Sequence, residues 1–254
     1  MAGKKRLQPN YELDPPETLT DQPFYGLTLD DEQMQFANAV WSDDNDIVFV
    51  NARAGTGKTT IATGVANMLV NYKKYNSLIY IMSPYGEQRQ GFLPGTITEK
   101  SSVYFEAFYQ ALLTCGVNPV IAINDESMVN QKNGTGFITT MTDTFLRGSN
   151  LNDAVIIIDE AQNYTFAQLK KVLTRVGTNA KVIVIGHDEQ CDLGNPNQSG
   201  FTEYLRHFAG HERCAVCELK TNHRGWISSW ADEATPSETA VMVPLNTGKE
   251  RRKL

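Results

Sequence analysis

The chain has 254 residues, 41% of them hydrophobic and 20% charged, with a formal net charge of −6. That length can bury a full core, and the balance is that of an ordinary globular protein, which excludes a disordered chain and a globally basic nucleic-acid coat but not a local positive stripe. No apolar run approaches a membrane span, Met1 to Arg6 lacks the apolar core of a signal peptide, and Cys115, Cys191, Cys214 and Cys217 are too scattered for a disulfide framework, so a reduced cytoplasmic protein without membrane contact is expected.

Residues 1–26 are polar and carry Pro9, Pro15, Pro16 and Pro23, which predicts an extended or disordered, flexible arm. One domain is expected over residues 27–232 and a tail over residues 233–254. From Leu29 to Val40 the pattern is helical, with Asp30 or Asp31 as cap and Met34, Ala37 and Val40 along one face. Gln33 on its first turn has the donor and acceptor that suit the N6 and N7 edge of adenine, although a solvated helix position explains the spacing more simply.

The run Asp46 to Val50 reads as a strand, and Ile61 to Leu69 as a helix. Between them stand Ala54, Gly55, Thr56, Gly57, Lys58, Thr59 and Thr60. In such a strand–turn–helix the backbone N–H groups and the positive helix end converge on one anion. Lys58 adds a point charge, and the Thr59 hydroxyl can hold Mg²⁺. The ligand implied is a nucleoside triphosphate. Ala52 stands where the loop's first glycine is usual, which is tolerable because Gly55 and Gly57 are the glycines nearest the phosphates.

Leu78 to Met82 is a second buried strand ending at Ser83-Pro84, and Gly91 to Gly95 is a turn-rich loop. Glu99 to Leu113 carries Tyr104, Phe105, Phe108 and Leu112 at helical spacing, a core stripe rather than a base-stacking surface. Residues 125–136 read as an exposed loop. Ala154 to Ile158 is the most apolar run in the chain, followed at once by Asp159 and Glu160. Adjacent acids at the tip of a strand buried on both faces suit two tasks: Asp159 at the Mg²⁺ shell, and Glu160 orienting and deprotonating an attacking water. Thr165 to Gln168 is a capping box opening a helix with Leu169, Val172, Leu173 and Val176 on one face and Gly177 at its end. Lys181 to Ile185 is the fourth strand, and the polar groups of its tip, Gly186 to Gln190, can sense a terminal phosphate. Alternating strands and helices over residues 46–186 predict an α/β fold: a doubly wound, mostly parallel sheet with helices on both faces and ligand at its carboxyl edge.

The runs Ala54 to Thr59, Gly91-Phe92-Leu93-Pro94-Gly95, Arg147-Gly148 with Leu151 to Ala154, Asp159-Glu160-Ala161-Gln162-Asn163 and Leu173 to Gly177 resemble the PhoH-like family in order and spacing, over about residues 28 to 225. The resemblance implies a RecA-like P-loop core related to superfamily 1 helicases, with ATP and Mg²⁺ as cofactors. It also implies ATPase activity, a homo-oligomeric ring such as a hexamer, and a role on RNA or single-stranded DNA. Three positions bear on that. Ser83 replaces the family's arginine before the proline, His187 replaces the aspartate of its Gly-Asp, and Gln190 is retained. Leu219 to Gly225 resembles a helicase motif whose arginine reaches the triphosphate, so Arg147, Arg175 and Arg224 are all candidates to stabilise charge on the transferred phosphoryl, within a subunit or from a neighbour.

His207, His211, Cys214 and Cys217 have spacings that zinc sites also use, but a solvated turn is preferred. Lys249 to Lys253 is a short basic tail. Two other functional classes stay open beside an ATPase motor: an ATP-dependent regulatory or assembly protein that moves no strand, and, less supported, a small-molecule kinase.

Overall fold

The computed structural model describes residues 8–20, 23–83, 105–124, 129–143 and 151–232. Its described strands form one parallel sheet: β1 (Ile47–Ala52), β2 (Ser77–Met82), β3 (Ile138–Thr142), β4 (Ala154–Asp159), β5 (Ala180–Gly186) and β6 (Cys214–Leu219), in the order β3-β2-β4-β5-β1-β6. Around it lie α1 (Asp31–Trp41), α2 (Lys58–Asn71), α3 (Glu106–Thr114), α4 (Phe166–Leu173), α5 (Phe201–Phe208) and α6 (Trp226–Asp232), with short helical turns at Pro119–Ala122 and Val129–Lys132. Parallel pairing aligns the strand tips. Met82 lies beside Asp159, Asn51 beside Gly186 and Ala52 beside Leu219, so the loops after β1, β2, β4, β5 and β6 share one edge.

The period of two along each strand divides the core. Val48, Val50, Val155, Ile157, Ile183 and Ile185 face α1, α2 and α3 in one apolar layer. Phe49, Ile156, Ile158, Val182 and Val184 face α4 and α5 in the other. Each fully buried aliphatic side chain contributes roughly 1.5–3 kcal/mol, which is why the central strands are near-continuous Val and Ile.

Both predicted helix starts are present as capping boxes. Asp30 caps α1 with Gln33 answering, and Thr165 caps α4 with Gln168 answering. Four features differ from the sequence reading. β3 and β6 were not expected: both are edge strands, half exposed and carrying threonine, cysteine and glutamate, so neither shows the apolar run of a central strand. α4 ends at Leu173, and Val176 instead bridges to Leu151. The described part of the arm is irregular, as proline demands, but it is docked rather than free. Leu19, Phe24 and Tyr25 are buried in the first layer, Tyr25 Oη donates to the Gly64 carbonyl at 3.0 Å, and Trp41 Nε1 donates to the Pro16 carbonyl at 2.9 Å. The loop expected at residues 91–95 lies outside the described residues.

Candidate nucleotide site

β1 delivers Ala52 to the carboxyl edge, and the chain turns through Arg53 to Gly57 into α2. Gly55 and Gly57 have φ of 76° and 79°, a region open to glycine and strained for other residues. Ala52 is a buried strand residue with negative φ, so alanine there leaves the loop unstrained. A Cβ on Gly55 would lie 2.5 Å from Asn222 Oδ1, so the segment after β6 closes directly over the loop. His223 N–H donates to the Gly55 carbonyl at 2.9 Å, and His223 Nε2 lies 2.9 Å from Asp30 Oδ2.

Gln33 is 7% exposed and so is not the solvated helix residue that its spacing favoured. Its Nε2 donates to the Thr56 carbonyl at 2.9 Å, and its Oε1 accepts from Asp30 N–H at 3.1 Å. One amide hydrogen and one lone pair are left over from these bonds. Thr56 Oγ1 donates to the Arg53 carbonyl at 3.0 Å, which ties the loop to itself.

The acid pair at the tip of β4 lies against the loop. Thr59 Oγ1 donates to Asp159 Oδ2 at 2.9 Å, although the two residues are 100 apart in sequence. Lys58 Nζ lies 3.8 Å from Glu160 Oε1 and 3.5 Å from the Ala52 carbonyl. Glu160 N–H donates to Asp159 Oδ1 at 2.9 Å. Glu160 itself has φ 51° and ψ 42°, a left-handed backbone that costs a side-chain-bearing residue about 1–2 kcal/mol. That turn aims its carboxylate back at Lys58 instead of along the strand.

Three further residues hold this arrangement, none singled out by the sequence. Tyr80 Oη donates to Asp159 Oδ2 at 2.7 Å from the neighbouring strand. Gln162 Nε2 donates to Glu160 Oε2, and Gln162 Oε1 accepts from His187 N–H at 3.1 Å, so it joins the tips of β4 and β5. Asn163 holds the segment after β5 through Asp192 N–H at 2.8 Å. Tyr80 was hidden because an apolar strand run conceals which member bears a useful hydroxyl. Gln162 and Asn163 lay inside a recognised motif, and only their role was missing.

Lys58, Thr59, Thr60, Glu160, Gln190 and Arg224 line a cleft of about 520 Å³ that also touches Ala54, Gly55 and Gly57. Beside it is a pocket of about 350 Å³ lined by Leu27, Leu29, Gln33, Ile61, His223 and Arg224. Arg224 borders both. Arg175 does not join them: it follows α4, and its carbonyl accepts from Leu151 N–H before β4, at the opposite edge of the sheet. Its Nε is buried without a hydrogen-bond partner. Arg147 lies outside the described residues. Among the described residues no group of three or more His, Cys, Asp or Glu could hold a metal, and Cys214 and Cys217 belong to β6. A Mg²⁺ ion asks less of the protein, being held by one or two protein oxygens with waters and phosphates, and Thr59 with Asp159 fits that donor set.

A parallel sheet with a glycine loop at the tip of β1, an acid pair at the tip of β4 and β5 between them defines an α/β fold of the RecA-like P-loop class. A family model described as "PhoH-like protein" matches residues 28–226, and the chain belongs to that family. A PhoH-like protein of Mycobacterium leprae is 37% identical over 170 residues, 66% of this chain and 46% of the relative. Protein PhoH of Escherichia coli K12 is 32% identical over 192 residues, 75% of this chain and 52% of the relative. The chain spans about half the length of the curated relatives it matches. Among solved structures, the large terminase of a thermophilic bacteriophage in complex with ADP aligns with a TM-score of 0.49 at 12% identity, over 76% of this chain and 46% of that one. The helicase domain of Pyrococcus furiosus Hef gives 0.42 at 14%, over 75% and 38%. At that distance the strand order and the loop, not the superposition, define the fold.

Proposed function

We propose that this PhoH-like chain binds ATP with Mg²⁺ and hydrolyses it, acting as a homo-oligomeric ring, such as a hexamer, on RNA or single-stranded nucleic acid. The observation that carries the reading is that Lys58, Thr59 and Glu160 line one cleft, with Asp159 hydrogen-bonded to Thr59 behind it. The loop N–H groups and Lys58 would hold the phosphates, and the 350 Å³ pocket, with the spare donor and acceptor of Gln33, would take the base. Thr59 and Asp159 would hold Mg²⁺, whose charge would offset the negative charge that develops on the phosphates. Lys58 and Glu160 neutralise each other across 3.8 Å; drawing Lys58 onto phosphate frees the carboxylate to orient and deprotonate water. Gln190 and Arg224 border the same cleft and would face the terminal phosphate.

A ring is supported by the position of Arg175. Its backbone lies at the edge of the sheet opposite its own cleft, so its use at a nucleotide would require a neighbour bound head-to-tail. Among the described residues no helix is long and apolar enough to cross a membrane. The four cysteines form no disulfide, which suits a reducing, cytoplasmic setting. His187 in place of the family's aspartate favours a second reading, an ATP-dependent regulatory or assembly protein without strand movement.

ATPase measurements with and without RNA separate the two readings, with Lys58→Ala and Glu160→Gln as controls. A motor gives RNA-stimulated turnover that Glu160→Gln abolishes; an assembly switch gives nucleotide-dependent oligomers that survive Glu160→Gln. Normal ATP affinity in Lys58→Ala would refute the phosphate-loop assignment.

A further inference from the structure

We infer that α6 is a stacking platform for the bases of a single-stranded nucleic acid, with Trp226 and Trp230 as its two rings; this rests on the nucleic-acid part of the function proposed above. Trp226 is 77% exposed and Trp230 is 73% exposed. Four residues apart on a helix, they stand on one face about 5–6 Å from each other at Cβ, with Ile227, 67% exposed, beside them.

The area and the chemistry of this face favour bases over a protein. A buried aromatic side chain covers roughly 150–250 Å², so two indoles and one isoleucine fall short of the ~800 Å² per partner of a stable protein interface. A stacked base needs only the ring face, and every base has one.

The platform is also tied to the phosphate loop. Asn222 Nδ2 donates to Ser228 Oγ at 2.8 Å, Asn222 Oδ1 accepts from Arg224 N–H at 2.8 Å, and the same amide packs against Gly55. Gly225, with φ of 114°, is the turn between this anchor and α6. A nucleotide that moves Asn222 or Arg224 therefore moves the two indoles.

The chain has three tryptophans, and Trp41 is buried, so intrinsic fluorescence accessible to iodide reports α6 alone. Titrating the full chain with short oligouridine or oligothymidine should quench that emission and shield it from iodide. Trp226→Ala and Trp230→Ala should each weaken oligonucleotide binding roughly fivefold to a hundredfold, with Trp→Phe recovering most of it. Because both indoles are exposed, the variants should keep the wild-type melting temperature. Wild-type affinity in the double alanine variant overturns the platform and leaves strand binding elsewhere on the protein intact. A wild-type chain that binds neither oligonucleotide at low salt, with or without ATP, overturns the nucleic-acid reading and the platform together. Iodide shielding that grows with protein concentration alone assigns the face to a second copy of the chain and likewise overturns the platform.

Discussion

The phenol of Tyr80 donates a 2.7 Å hydrogen bond to Oδ2 of Asp159, the same oxygen that the Thr59 hydroxyl reaches at 2.9 Å. Burial first, and the Asp159 charge second, push the phenol far above its ordinary value, so it remains a donor at any working pH. Its ring stacks on Phe108 of α3 at 4.1 Å, and α3 lines the cleft through Ala107 and Gln110. Two donors on one oxygen fix the carboxylate that would meet the metal.

Tyr80→Phe keeps the stack and removes only that bond. Hydrogen bonds to charged groups are worth about 1.5–3 kcal/mol, so the Mg²⁺ concentration for half-maximal ATPase should rise roughly tenfold, with a smaller change in turnover at saturating Mg²⁺. A Mg²⁺ titration with an unchanged midpoint would remove Tyr80 from the site.

Glu160→Gln should bind ATP and turn over at least roughly a hundredfold more slowly, since loss of a general base typically costs ~10²–10⁴ in rate. Mixing this variant with Arg175→Ala should restore activity, because some interfaces then pair an intact base with an intact arginine. Mixing it with Arg224→Ala should not, since Arg224 borders the same cleft as Glu160. Rescue by the second mixture and not by the first would reverse the roles of the two arginines.

Lys181 is 1% exposed, with its ammonium donating to the Ser42 carbonyl, and burial lowers its pKa from 10.5 to about 8. Below pH 8 folded and unfolded chains both hold the proton, and burying the charge opposes folding by roughly 3 kcal/mol. Between pH 8 and 10.5 the unfolded chain binds more protons, so this group makes stability rise with pH. Cys217, raised from 9 to about 11 by burial, gives the opposite slope above pH 9. The wild-type stability minus that of Lys181→Met, followed by urea denaturation, should therefore climb from about pH 8 towards about 10. A flat difference would place the ammonium in water.

Gly64→Ala tests the docking of the arm. Alanine is the better helix former by about 1 kcal/mol, but its Cβ would lie 2.7 Å from the Phe24 ring and 3.1 Å from that of Tyr25. Overpacking of this kind costs typically ~1–3 kcal/mol, so the full-length variant should melt several degrees lower. A higher melting temperature would mean that the arm leaves the helix in solution.

Local chemistry decided what the sequence alone could determine. The glycine loop, Lys58 and Thr59 sit within five residues of one another, the acid pair ends the most apolar run, and Asp30 and Thr165 announce their helices by capping boxes, so all were legible without coordinates. β3 and β6 were not legible, because an edge strand needs no apolar run and takes its register from its neighbour. The arm was misread for a related reason: proline and polar residues describe its backbone, whereas Leu19, Phe24 and Tyr25 bury themselves only once α2 offers a surface. The three arginines were equivalent in sequence, and the parallel sheet separated two of them by setting Arg224 at the carboxyl edge and Arg175 at the other. Tyr80, Gln162 and Asn222 act through hydrogen bonds that join separate strand tips and loops, and bonds of that kind exist only when the tertiary fold brings those segments together.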